Sequence, residues 1–222
     1  MSELSEEEQW ERAKAMLSEL WVYIVGGLAI GGAILWGWGW NHKRIETRAH
    51  EASTKYEEVI DAFSRNDKTR AMTLVDELNR DYSATPYAAL GTLIAARAHV
   101  DANELDQAAT GLKTVMDTAP DDELKLIARI RLARVLAAQG KYDDALAALK
   151  IEEPGEFARR FADARGDVLL AKGDRDGALR EYLAARTGSD NGAVDNEVLD
   201  LKIRDLGGTP PKSPEEPVPQ ES

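Results

Sequence analysis

The feature that most constrains this chain is a run of 21 residues, Leu20 to Trp40, containing no Asp, Glu, Lys, Arg or His. A helix of that length rises about 31 Å, which matches the thickness of a bilayer's hydrocarbon core. Within the run, Leu20, Val22, Ile24, Val25, Leu28, Ile30, Ile34 and Leu35 each favour insertion by about 0.3–0.6 kcal/mol. The six glycines of "GGLAIGGAILWGWGW" would loosen such a helix in water. In lipid an unpaired backbone amide has no alternative partner, so the helix persists. Trp21 and Tyr23 stand at one border and Trp36, Trp38 and Trp40 at the other, where amphipathic rings prefer the headgroup region.

Two other readings of the run fit less well. A cleaved signal peptide carries a basic leader and small residues at a cleavage site, whereas the leader here, "MSELSEEEQWERAK", is acidic and the run ends in Trp-Asn-His-Lys-Arg. A buried helix of a water-soluble domain shows charge on one face, and none occurs for about six turns. The sequence therefore predicts a short acidic N-terminal segment over residues 1–19 and a retained single transmembrane helix over 20–40. Gly27 and Gly31 form a G-x-x-x-G with Ala29 and Ala33 offset by two. That nearly bare face lets another backbone approach closely, from a second copy in a homo-oligomer or from another membrane protein.

Charge leaves the orientation open. Arg12 and Lys14 precede the run and Lys43, Arg44 and Arg48 follow it, so a bare count leans toward a cytoplasmic C-terminal domain. Long domains cross largely regardless of that rule.

After the span the chain is long enough for one domain with a proper core. Residues 46–222 hold 34 acidic against 24 basic side chains, so no basic stripe exists to displace counterions from phosphates and nucleic acid is not an expected partner. The absence of cysteine excludes disulfides, thiolate zinc sites and a cysteine nucleophile.

From about residue 41 to 206 the apolar residues recur every three or four positions, which reads as all helix. A short phrase repeats: "NDKTRA" at 66–71, "NELDQA" at 103–108, "GKYDDA" at 140–145 and "GDRDGA" at 173–178, at spacings of 37, 37 and 33 residues. Asn or Gly opens each phrase and can take the left-handed conformation that ends one helix, while the polar residues after it start the next. Ala71, Ala108, Ala145 and Ala178 close the phrases, where two paired helices would cross and a larger side chain would separate them. Seven positions before each turn stand Val59, Ala96, Ala133 and Gly166, and Pro120 marks a repeat boundary. The offsets resemble the tetratricopeptide repeat, a helix–turn–helix unit of about 34 residues, without its usual early Trp and Tyr. A generic Ala-rich helical bundle is the competing reading. The tail "GGTPPKSPEEPVPQES", 207–222, holds five of the eight prolines and is expected to be disordered.

Catalytic signatures are missing. His42, His50 and His99 are isolated in sequence, "GGLAIGG" lacks the Lys-Ser/Thr of a phosphate loop, "DTAPDDEL" at 117–124 lacks the alternating ligands and central Gly of a calcium loop, and no serine sits in a G-x-S-x-G. The chain is expected to be neither an enzyme nor a carrier of metal or cofactor. Stacked helix pairs instead make a concave groove lined mostly by first helices. The phasing places Tyr56, Leu93, Arg97, Ile130, Arg134 and Arg160 on it, as a protein-binding surface for an extended or helical segment. Against this, Leu93 and Ile130 fit equally well as core, and the arginines as partners of nearby carboxylates.

Taken together, the acidic leader, the Gly-rich run ending in "GWGWNHKRIETRAHEAS", and the helices "VDANELDQAATGL", "IARIRLARVLAAQGKYDDALAAL" and "RGDVLLAKGDRDGALREY" resemble the YfgM family, the ancillary subunits of the bacterial SecYEG translocon, over about residues 8–206. The resemblance implies an all-α protein: one N-terminal transmembrane helix, then a tetratricopeptide-like α-solenoid. It also implies an inner-membrane anchor with a cytoplasmic amino end and a periplasmic domain. As partners it implies membrane lipid, the SecYEG channel and a periplasmic chaperone of the PpiD type, in a role of handing on secreted proteins. The alternative is an anchored scaffold for assembling another envelope complex, such as cytochrome c maturation.

Overall fold

The computed structural model describes residues 6–187 and 194–211, with the side chains of residues 6–43 described in part. Among the described residues there are nine α-helices and one 3-10 turn, and no strand. They are α1 (Glu6–Ser64), α2 (Lys68–Asp81), α3 (Pro86–Asp101), α4 (Leu105–Thr118), α5 (Asp122–Ala138), α6 (Tyr142–Ala148), the 3-10 turn Gly155–Phe157, α7 (Ala158–Lys172), α8 (Arg175–Thr187) and α9 (Asn196–Asp205). The chain divides into two units, Met1–His50 and Glu51–Ser222.

In the first unit the uncharged run Leu20–Trp40 is helical throughout, as part of α1. Trp10, Trp21, Tyr23, Trp36, Trp38 and Trp40 are exposed, and a Cβ added at Gly26, Gly27, Gly31 or Gly32 would meet nothing within 4 Å. Among the described residues no helix is long and apolar enough to cross a membrane, and many side chains of the run lie outside them. Residues 1–5 of the acidic leader and residues 212–222 of the Pro-rich tail also lie outside the described residues.

The second unit is a succession of helix pairs. All four phrase openers adopt the left-handed conformation: Asn66 at φ 61°, Asn103 at 59°, Gly140 at 76° and Gly173 at 94°. Each reversal is hydrogen-bonded in the same way, with the N–H of the following residue reaching back to the helix just ended, as in Glu104 N–H to the His99 carbonyl at 2.8 Å and Lys141 N–H to that of Leu136 at 2.9 Å. Asp67 accepts from the Arg70 amide and Asp174 from that of Gly177, so the side chain after the turn occupies an otherwise unsatisfied donor of the new helix. Between pairs, Thr85–Pro86 and Pro120–Asp121 reset the chain, with Asp121 capping α5 through the Glu123 amide at 2.8 Å.

Burial separates first from second helices of the pairs. The second helices α2 and α4 bury one stripe each, Ala71, Leu74, Val75 and Leu78, and Ala108, Ala109, Leu112 and Val115, the spacing of an amphipathic surface helix. The first helices α3 and α5 bury residues around most of their circumference, including Ala88, Thr92, Leu93, Ala95 and Ala96 in α3 and Leu124, Ala128, Leu132, Ala133 and Val135 in α5. Their sequences lack a continuous polar face because α3 contacts α2, α4 and α5, and α5 contacts α3, α4, α6 and α7. Ala71, Ala108, Ala145 and Ala178 are all fully buried. The apolar clusters run from the end of α1 through α3, from α3 to α7, and from α7 to α9, where Leu199 and Ile203 close the core.

Candidate functional site

The first helices α3 and α5 also carry mixed apolar and charged stripes that line cavities. On α5 the residues Ile127, Ile130, Arg131, Arg134 and Ala138 recur at three- and four-residue intervals, and on α3 Ala96, Arg97, Val100 and Asp101 do the same. Residues three and four apart share one face of a helix. These faces bound two cavities. One, of about 470 Å³, is lined by Arg97, Val100 and Asp101 of α3, by Leu105 and Leu112 of α4, and by Arg131, Arg134 and Val135 of α5. The other, of about 380 Å³, is lined by Ile127, Ile130, Arg131 and Arg134 of α5, Arg160 and Asp163 of α7, and Val194, Asp195 and Val198 at the start of α9. Arg131 and Arg134 belong to both, so their guanidiniums form the shared wall of one groove.

The charges on this wall are unevenly matched. Arg134 reaches Asp163 at 3.2 Å and Asp167 at 3.3 Å, and the same two carboxylates receive Lys202 of α9 at 2.7 and 2.6 Å. Asp167 also accepts from the Tyr182 hydroxyl at 3.0 Å. Two carboxylates thus meet two cations, linking α5, α7, α8 and α9. Arg97 is paired with Asp101 on its own helix at 2.9 Å. Arg160 stands 5.2 Å from the centre of the Phe157 ring, within the range of a cation–π contact.

Arg131 differs from Arg97 and Arg134. Among the described residues it has no carboxylate partner; its guanidinium lies 3.5 Å from the Leu93 carbonyl oxygen, a long contact. The residue is solvent-exposed and lines both cavities. Desolvation there, reinforced by the like charges of Arg97 and Arg134, lowers its pKa from the ordinary arginine value.

The residues expected on the groove fall into two sets. Arg97, Ile130, Arg134 and Arg160 line the cavities. Leu93 is buried in the core at 4% exposure and contributes only its carbonyl, and Tyr56 is half-buried with its ring 5.8 Å from that of Tyr87, bounding neither cavity. Gly27 and Gly31 lie in the first unit with open space around them. Arg131, Asp163 and Val198 are not among the residues that the repeat phasing picks out. Arg131 is within its reach, standing one turn before Arg134 on the same face, whereas Asp163 and Val198 are brought in by elements 29 to 64 residues further along the chain. Among the described residues no group of three His, Cys, Asp or Glu side chains is placed to hold a metal ion.

Comparison with known proteins bears on the same region. A family model described as a tetratricopeptide repeat-like domain matches residues 14–208. A curated relative from Escherichia coli (strain K12), named ancillary SecYEG translocon subunit, is 32% identical over 203 residues, covering 91% of this chain and 97% of its own. Relatives of the same name are 27% identical in Aggregatibacter actinomycetemcomitans, over 91% of this chain and 98% of theirs, and 29% identical in Neisseria gonorrhoeae, over 84% and 88%.

Proposed function

Because the chain belongs to the tetratricopeptide repeat-like family of ancillary SecYEG translocon subunits, we propose that it is a membrane-anchored protein-binding module working beside the translocon. The helices of residues 51–206 hold polypeptide segments in the groove between α3, α5, α7 and α9. The observation that carries this reading is that groove: two cavities with apolar and basic linings, walled mostly by first helices, with α4 contributing Leu105 and Leu112.

In this reading Leu20–Trp40 is the single bilayer span, supported by its 21 uncharged residues in one helix and by exposed Trp and Tyr near both of its ends. The amino end is cytoplasmic and the helical domain periplasmic, in the bacterial inner membrane. The working partners are SecYEG, a PpiD-type periplasmic chaperone and the secreted chains passed between them. Gly27 and Gly31, free of neighbours in the first unit, supply a helix-packing face in the membrane.

Two measurements test the proposal. A C-terminal reporter active only outside the cytoplasm is expected to be on, and silence at normal expression overturns the topology. Purification of the full chain in mild detergent is expected to recover SecYEG together with the chaperone. Recovery of neither overturns the assignment.

A further inference from the structure

Among the described residues, the groove holds a guanidinium, that of Arg131, which none of its carboxylates meets. Arg134 and Lys202 are neutralised by Asp163 and Asp167, and Arg97 by Asp101. Arg131 stands at the wall common to both cavities, and among the described residues its contact is a long one to a carbonyl oxygen. A cation partly withdrawn from water, beside two other cations, is unfavourable unless an anion meets it. The remaining acidic side chains of the lining are engaged or separate: Asp163 and Asp101 are in the pairs just named, and Asp195 caps α9 through the Glu197 amide at 2.8 Å. The space is accessible, since Arg97, Arg131 and Arg134 are all exposed residues.

We propose that this groove binds an extended polypeptide in trans through an aspartate or glutamate side chain seated on Arg131, with apolar residues on either side of it. The inference rests on the protein-binding reading above and specifies its ligand chemistry. A guanidinium offers two parallel N–H donors to a carboxylate, which fixes position as well as charge. The flanking apolar residues follow from the lining: Val100 and Leu105 on one side of Arg131, Ile127 and Val198 on the other. Neighbouring first helices pack about 8–10 Å apart, and an extended chain advances about 3.3 Å per residue. The recognised pattern is therefore an apolar residue within about two to three positions of the acid on each side. The chain as a whole carries a net charge of −12, so this wall, where Arg97, Arg131, Arg134 and Arg160 outnumber Asp101, Asp163 and Asp195, is a local exception.

The test uses the full chain in detergent and a fluorescein-labelled nonapeptide, Gly-Ser-Leu-Val-Glu-Val-Leu-Ser-Gly, beside its twin with Gln at the centre. The Glu peptide is expected to bind at least tenfold more tightly at low salt, with the advantage shrinking as salt is raised. Arg131→Ala should reduce the Glu peptide to the level of the Gln peptide and leave the latter unchanged, while Arg131→Lys keeps part of the preference. Because Arg131 is exposed, both variants should keep the parent's circular dichroism. Equal binding of the two peptides, or a preference that survives Arg131→Ala, overturns the inference while leaving SecYEG recovery, and hence the broader reading, intact. Binding of neither peptide overturns it as well. So does Glu-selective binding that emerges only after Glu215→Gln, Glu216→Gln and Glu221→Gln together, because the occupant is then the chain's own tail.

Discussion

The ring of Tyr182 on α8 occupies the space that a Cβ on Gly166 of α7 would need: such a Cβ would overlap the ring edge, and even Cζ would stand only 3.0 Å from it. The ring cannot swing away, because it is buried to 1% exposure and tied by its hydroxyl to Asp167 at 3.0 Å. Gly166→Ala would gain up to about 1 kcal/mol of helix propensity, against about 1–3 kcal/mol for forcing a packed core apart. A net loss of about 1–2 kcal/mol in urea unfolding is expected. Tyr182→Leu in the Gly166→Ala background should recover part of it, and a more stable single variant would show that the two helices are not in contact.

The same tyrosine makes stability depend on alkaline pH. Burial, followed by the charge of Asp167 and the hydrogen bond to it, pushes the Tyr182 phenol far above its usual value. Above about pH 10 the unfolded chain has released this proton while the folded chain keeps it. The unfolded state then binds fewer protons, so stability falls as pH rises. Tyr182→Phe removes that proton along with one hydrogen bond worth about 1 kcal/mol. The variant should be less stable than the parent at pH 8, with the gap narrowing by pH 11. A gap of the same size at both values would contradict the assignment.

At the turn between α3 and α4, Asn103 holds φ at 59° while its N–H reaches the Val100 carbonyl at 2.9 Å. An L residue with a Cβ is strained there by about 1–2 kcal/mol unless, like Asn, it tolerates the left-handed region. Asn103→Ala is expected to cost about 1 kcal/mol and Asn103→Gly to be neutral or stabilising, since Gly140 and Gly173 serve the equivalent turns. Thermal unfolding of both variants checks the sign. An alanine variant as stable as the glycine one would exclude strain at this turn.

These local rules explain what is legible in the sequence. Asn66, Asn103, Gly140 and Gly173 can be read as helix ends, and Ala71, Ala108, Ala145 and Ala178 as crossing points, because each depends on residues within a few positions of itself. The extent of α1 is less so. The uncharged run predicts a boundary at residue 40, but the polar stretch that follows contains no Gly or Pro and the helix continues to Ser64. The groove is half legible. Periodicity places Arg97, Arg134 and Arg160 on it, but the pairing of Asp163 and Asp167 with Lys202 joins residues 39 and 35 positions apart. No local pattern reports which carboxylates are already taken, and so which arginine is left over.

Arg159 is a second arginine that the sequence conceals, adjacent to the expected Arg160 but only 3% exposed. Its Nε donates to the Ala185 carbonyl in the last turn of α8 at 2.7 Å, and its Nη2 donates to the Asn196 side chain at the first residue of α9. One side chain of α7 therefore fastens the helices on both sides of residues 188–195, and Val194 and Val198 of the groove wall depend on that fastening. Arg159→Met keeps the apolar stem but leaves the Ala185 carbonyl without this donor, at a cost of about 1–3 kcal/mol. The loss should be local before it is global. Hydrogen exchange of the α9 amides is expected to quicken at least tenfold while that of α3 stays near the parent's rate. Uniform acceleration across both helices would mean that Arg159 supports the whole stack rather than the end that carries the groove wall.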